Sequence, residues 1–163
     1  TKDKKFKVGV INLMGNVFMR KTEDVFVSAK KIREKIRLKE NVDFIVVDFH
    51  GEITSEKMAI GHFLDGFTTA VVGTHTHVPT ADTRILEKGT AYQTDIGMCG
   101  DYNSVIGMNK ENSLKRFLKD KTAINHFPAE QEATLSGIII DADFKTGLAK
   151  KITRLIEGGS LIK

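Results

Sequence analysis

The sequence predicts an α/β domain: a parallel β-α-β core, then turn-rich chain, then a C-terminal β-hairpin. Three observations carry this. Two apolar runs of strand length, Asp43–Asp48 and Thr68–Gly73, flank a helix-like segment. A further strand and an amphipathic helix precede them, and two β-prone runs close the chain around Asp143-Phe144-Lys145-Thr146-Gly147. Strand, helix, strand with short connections makes parallel pairs through right-handed crossovers. At 163 residues, with 40% hydrophobic and 28% charged, the chain fits one domain, 1–163, with a core of its own.

The elements follow in order. Lys5 to Leu13 has the β-branched content of a strand, and the turn residues of "MGN" end it. From Thr22 to about Leu38, Val25, Ala29, Ile32 and Ile36 recur at three- and four-residue steps among Lys, Arg and Glu, which predicts an amphipathic helix. "DFIVVD" is the continuous apolar run of a strand covered on both faces. In "FHGEITSEKMAIGHFLDG", Ser55 reads as an N-cap, Glu56 lies in the first turn and Gly66 is a C-terminal stop. "TTAVVG" is strand again. Beyond Pro79 come a short strand, Thr90 to Asp95, a helix from about Glu111 to Leu118, and the hairpin.

Composition narrows the chemistry. No apolar run approaches the roughly 20 residues that span a bilayer, and "TKDKKFKV" lacks a signal-peptide core, so a cytoplasmic protein is expected. The single cysteine, Cys99, excludes an internal disulfide framework and any Cys-based zinc cluster. The net charge of +4 is spread along the chain rather than gathered in a basic tract with interleaved aromatics, which argues against a nucleic-acid binder. The chain opens on Thr1 and is strand-like within a few residues, so it reads as entered partway through a domain.

Attention falls on the five histidines. In "DFIVVDFH" and "AVVGTHTH", His50, His75 and His77 arrive at the carboxyl edge of adjacent parallel strands, where open α/β sheets bind ligands. Residues two apart in extended backbone point to one side, so His75 and His77 are expected to approach one centre or two neighbouring ones. Neutral imidazole suits Zn, Fe and Mn. The competing reading is strand-end histidines hydrogen-bonded to turn carbonyls. His62, inside the helix pattern, reads as surface or packing, and Asn125-His126 lies in irregular chain and reads as incidental. Glu52 and Asp95 are candidates to orient a ligand imidazole through its second nitrogen, whereas Asp82 reads as turn chemistry. Thr54 and Ser55, at a helix start beside this edge, are candidate phosphate contacts.

With "VVDFHGEITSEKMAIGHFLDG", "AVVGTHTHVPTAD" and "GTAYQTDIGMCGDYNSVIGM" in view, the sequence resembles the YmdB-like bacterial metallophosphoesterases, a branch of the calcineurin-like phosphoesterase superfamily. The likeness runs almost end to end. It implies a layered α/β sandwich with a mixed sheet, and a phosphodiesterase whose best-known substrates are 2′,3′-cyclic nucleotides. It also implies two divalent or iron-type metal ions, Fe, Mn or Zn, with His50 and His75 on one and His77 on the other. "Gly-Thr-His-Thr-His" would be this family's form of the superfamily Gly-His-x-His turn.

The family's opening motifs do not appear: a Gly-Asp turn with a metal-ligand Asp, a Glu-Asn pair with a bridging Glu, and an Asn-His pair with the general acid. His50 and His75 lie too close in sequence to admit them between. The chain is therefore expected to be the C-terminal part of such an enzyme, with half the active site, no general acid of its own and little activity alone. It is expected to pair with an N-terminal segment or a second copy. The alternative is a non-catalytic remnant or stable fragment acting as a binding module.

Overall fold

Parallel pairing of the apolar runs organises the fold in the computed structural model, which describes residues 1–20 and 22–162. β1 (Val8–Met14), α1 (Val25–Lys35), β2 (Phe44–His50), α2 (Thr54–Phe63) and β3 (Ala70–Thr74) come first. β4 (Arg84–Ile85), β5 (Ala91–Gln93), α3 (Lys110–Phe117), β6 (Leu135–Ala142) and β7 (Ala149–Glu157) follow. One sheet has the order β1-β2-β3-β5-β4, parallel except for β4, so the α/β architecture and its mixed sheet stand as expected. β6 and β7 form the separate C-terminal hairpin.

Three layers result. Alternate side chains of the central strands, Ile45, Val47 and Phe49 of β2 with Leu13, Val71 and Tyr92, are buried against Val25 and Ala29 of α1, Ile60 of α2 and Leu64 at the C-cap of α2. On the other face, Ala70 and Ala91 meet Ala149, with Ile140 and Ile152 of the hairpin packed alongside. The hairpin does not cover the β1 end of that face, where Val10 is 76% exposed. No helix among the described residues is long and apolar enough to cross a membrane.

Several boundaries differ from the sequence reading, each for a local reason. The first helix begins at Val25, because the Asp24 side chain accepts the Phe26 and Val27 amides, and ends where Ile36 turns extended. α2 begins two residues earlier than expected. Ile53 occupies its cap with no side-chain bond, so Ser55 sits inside the first turn and does not cap it. The strand expected over Thr90 to Asp95 pairs only through Ala91–Gln93, and the side chains that follow turn to other work. α3 starts at Lys110, capped by Asn109, whose side chain accepts the Asn112 amide.

Candidate functional site

β1, β2 and β3 lie in register, with Asn12 beside Asp48 and His50 beside Thr74, and all three end at one edge of the sheet. A line of hydrogen bonds crosses them there. The Asn12 amide donates to Asp48 Oδ2 at 2.9 Å, and the Thr74 hydroxyl donates to Asp48 Oδ1 at 2.9 Å. With its proton committed to Asp48, Thr74 Oγ1 has only lone pairs for His50 Nδ1, 3.0 Å away. His50 Nδ1 is therefore the donor, and its Nε2 points outward toward His75 Nδ1 at 3.1 Å. The two rings stand edge to face, with centroids 4.9 Å apart. Beyond them, His75 Nε2 meets Glu52 Oε2 at 2.5 Å.

Two imidazoles thus face each other with one nitrogen each, while the second nitrogen of each is tied down, one to a hydroxyl backed by a carboxylate and the other to a carboxylate directly. That is how ligand histidines are oriented around metal ions. The spacing also fits. Two nitrogens each about 2.0–2.1 Å from one ion, at angles from square to tetrahedral, lie about 2.9–3.4 Å apart. Among the described residues, no group of three or more His, Cys, Asp or Glu side chains is arranged to hold a metal ion.

His77 does not join the pair. Residues 75–78 form bends rather than extended strand, so the expectation that His75 and His77 point to one side fails at the backbone. His75 has φ 134° and His77 φ 65°, both in the region that side chains disfavour. The His77 ring is turned instead toward the loop before α3, where its Nδ1 donates to the Ile106 carbonyl at 3.0 Å. Ile106 itself has φ 50°. Three non-glycine residues in strained backbone at one place are a signature of functional turns.

The carboxylates divide. Glu52 reaches the outer nitrogen of His75. Asp95 touches no imidazole; it is fully buried, its Oδ2 accepting the Thr76 amide at 2.9 Å and its Oδ1 the Gly97 amide at 2.9 Å. Its Oδ2 also pairs with Lys57 Nζ at 2.7 Å, a side chain only 1% exposed. Lys57 escaped the sequence reading, although its place three, four and seven residues before Ile60, Gly61 and Leu64 put it on the buried stripe of α2. Glu56, the neighbouring residue, is buried too and accepts the Asn16 and Val17 amides, holding the turn after β1.

Asp82 is a structural tie. Burial pushes its carboxyl up, but hydrogen bonds from the Thr80 and Thr94 hydroxyls and the Thr94 amide, with the Arg84 guanidinium nearby, outweigh this and hold it below the usual carboxylate range. Thr54 and Ser55 stand in the first turn of α2, close in sequence to Glu52, Thr54 and Ser55 both reaching solvent. His62 is exposed in the last turn of that helix, at the end away from the carboxyl edge of β2, and His126 is exposed in irregular chain after α3.

Comparison with known proteins agrees with this fold. A family model described as YmdB-like protein matches residues 1–155. A 2′,3′-cyclic-nucleotide 2′-phosphodiesterase from Bacillus subtilis (strain 168) is 46% identical over 150 residues, 92% of this chain and 56% of the relative. A crystal structure titled as a novel phosphatase from Mycoplasma pneumoniae matches with TM-score 0.83 and 37% identity, over 95% of this chain and 54% of that one. A hypothetical protein from Thermus thermophilus matches with TM-score 0.81 and 38% identity, over 94% of this chain and 58% of that one. The chain spans about half the length of the curated relatives it matches.

Proposed function

Because this chain belongs to the YmdB-like family, we propose that it carries the imidazole side of a binuclear, metal-dependent phosphodiesterase acting on 2′,3′-cyclic nucleotides. The observation that supports this most is the His50–His75 pair: two nitrogens 3.1 Å apart, each ring anchored through its other nitrogen. His50 and His75 would hold one ion, with His77 contributing to a second after its ring leaves the Ile106 carbonyl. When bound, the ions, of the Fe, Mn or Zn kind, supply positive charge that polarises phosphoryl oxygens and lowers the pKa of water.

The chain's own groups orient and neutralise. Asp48, through Thr74, keeps the His50 proton on Nδ1 and leaves Nε2 free as a donor to metal. Glu52 does the same for His75 from the other side and adds negative charge where cations gather. Thr54 and Ser55, in the first turn of α2, present hydroxyls and the positive end of a helix dipole to a phosphate at this edge. The further metal ligands and the leaving-group acid are assigned to a separate segment carrying the family motifs that these 163 residues lack. A cytoplasmic setting suits both the reaction and the single free cysteine.

The test has two arms. Titration of the chain with Zn²⁺ should give binding that is lost in His50→Ala and in His75→Ala, and the chain alone should not hydrolyse bis(p-nitrophenyl) phosphate. Turnover by the chain alone, abolished in His75→Ala, would overturn the half-site reading; indifference of zinc binding to both substitutions would overturn the metal reading. A binding module without chemistry is the second reading, favoured by the want of a third convergent ligand among the described residues. It predicts no gain of activity when the N-terminal half of a relative is added.

A further inference from the structure

Beneath the Thr-His-Thr-His turn lies the one ion pair in which both side chains are buried, among the pairs of the described residues. Lys57 comes from α2 and Asp95 from the chain just beyond β5, so the pair bridges the helix layer and the sheet. Removing two charges from water is costly, and a well-packed apolar pair is often as stable, so a buried pair calls for a reason beyond stability.

Its position suggests one. Asp95 Oδ2, the oxygen that meets Lys57, also accepts the amide of Thr76, the residue between His75 and His77. That single bond pins the middle of a turn whose two histidines have φ 134° and 65°. The backbone on either side of Asp95 is fixed as well: its amide donates to Thr80 Oγ1 at 3.0 Å, and its carbonyl accepts the Thr80 amide and the Gln93 side chain at 2.9 and 2.8 Å. Lys57 passes close to the Gly73 backbone, where an added Cβ would lie 3.3 Å from its Cδ. A rigid anchor therefore meets a strained turn at one atom.

We propose that Lys57 and Asp95 are positioning residues for the two histidines of this turn: the carboxylate holds the Thr76 amide, and the buried ammonium holds the carboxylate in place. The pair touches neither imidazole and acts through the backbone alone. The proposal rests on the metal-site reading for its purpose, but its mechanism is open to test without metal.

The measurements are amide hydrogen exchange at Thr76 in the metal-free chain, Zn²⁺ affinity by calorimetry and thermal unfolding. In the unaltered chain, the Thr76 amide should exchange at least about tenfold slower than an unstructured peptide although Thr76 is exposed. An unprotected amide overturns the proposal with no variant needed. Lys57→Met leaves a buried carboxylate without its cation and should unfold at lower temperature. Lys57→Met/Asp95→Leu leaves no buried charge unpaired and should recover much of that loss, yet exchange faster at Thr76 and bind Zn²⁺ about tenfold more weakly. A double variant with unchanged Thr76 exchange and zinc affinity makes the pair mere core filling. If the unaltered chain takes no Zn²⁺, the metal reading falls, and Thr76 exchange alone decides the positioning role.

Discussion

Gly73→Ala should damage this protein out of proportion to one methyl group. Gly73 lies on β3 just before Thr74, where the chain after β5 crosses close above it. A Cβ built there would lie 1.7 Å from the Thr94 carbonyl oxygen and 2.7 Å from its carbon. Carbon–oxygen contacts are ordinarily no closer than about 3.3 Å, so the Thr94 peptide must retreat by about 1.6 Å. No flexible side chain can absorb that, because both partners are backbone. The retreat takes with it the Ile96 amide, bonded to the Gly73 carbonyl at 3.0 Å, and Asp95, bonded to Lys57 and Thr76. Disrupting a buried pair costs about 3–5 kcal/mol, set against a total stability of about 5–15 kcal/mol. For a chain of this size the melting temperature should fall by roughly 6–20 °C. Urea and thermal unfolding followed by circular dichroism measure the loss. A variant within about 1 kcal/mol of the parent would refute the argument that β3 and the Thr94–Asp95 chain form one rigid seam.

Three other expectations follow from the contacts. Thr74→Val, which keeps shape but removes the hydroxyl between His50 and Asp48, should lower stability by about 1–2 kcal/mol and Zn²⁺ affinity by about tenfold; calorimetry that finds the affinity intact would remove Thr74 from the orienting chain. For Asp82 the folded-state carboxyl is depressed, so its stabilisation is full above the unfolded value of about 3.9 and is lost as pH falls through the lower folded value. Denaturation curves from about pH 5 to pH 2 should therefore be shallower in acid for Asp82→Asn than for the parent, while at neutral pH the variant is the less stable of the two. Phe49→Ala, at a side chain with no exposed surface under the His50 strand end, should cost about 3–5 kcal/mol in urea unfolding.

Periodicity made the β-α-β core legible, since strands covered on two faces and helices covered on one write their burial into the order of side chains. The carboxyl-edge position of His50 and His75 followed from topology alone. What escaped were features decided by backbone shape and by distant partners. His75 and His77 look extended in "GTHTH" because nothing in the residue types announces positive φ; the bend arises from Asp95 holding Thr76 and from the His77 ring meeting Ile106. Ser55 looks like a cap, but the backbone turns helical one residue before it. Lys57 drew no assignment because it is charged, although its spacing to Ile60 and Leu64 placed it among buried positions.

The hydrogen-bonded line across β1, β2 and β3 also governs when the site can come into being. Its links join residues far apart in sequence, 36 positions from Asn12 to Asp48, 26 from Asp48 to Thr74 and 25 from His50 to His75. Each requires a long loop to close before any bond rewards it, and the β2–β3 register must be correct before the imidazoles face one another. A one-residue slip of β2 against β3 would turn His50 to the opposite face. Local elements such as α1, α2 and the β6–β7 hairpin need no such closure. The imidazole pair therefore forms no earlier than the long-range β2–β3 pairing, and a chain that captures a metal through both rings has already brought those two strands into register.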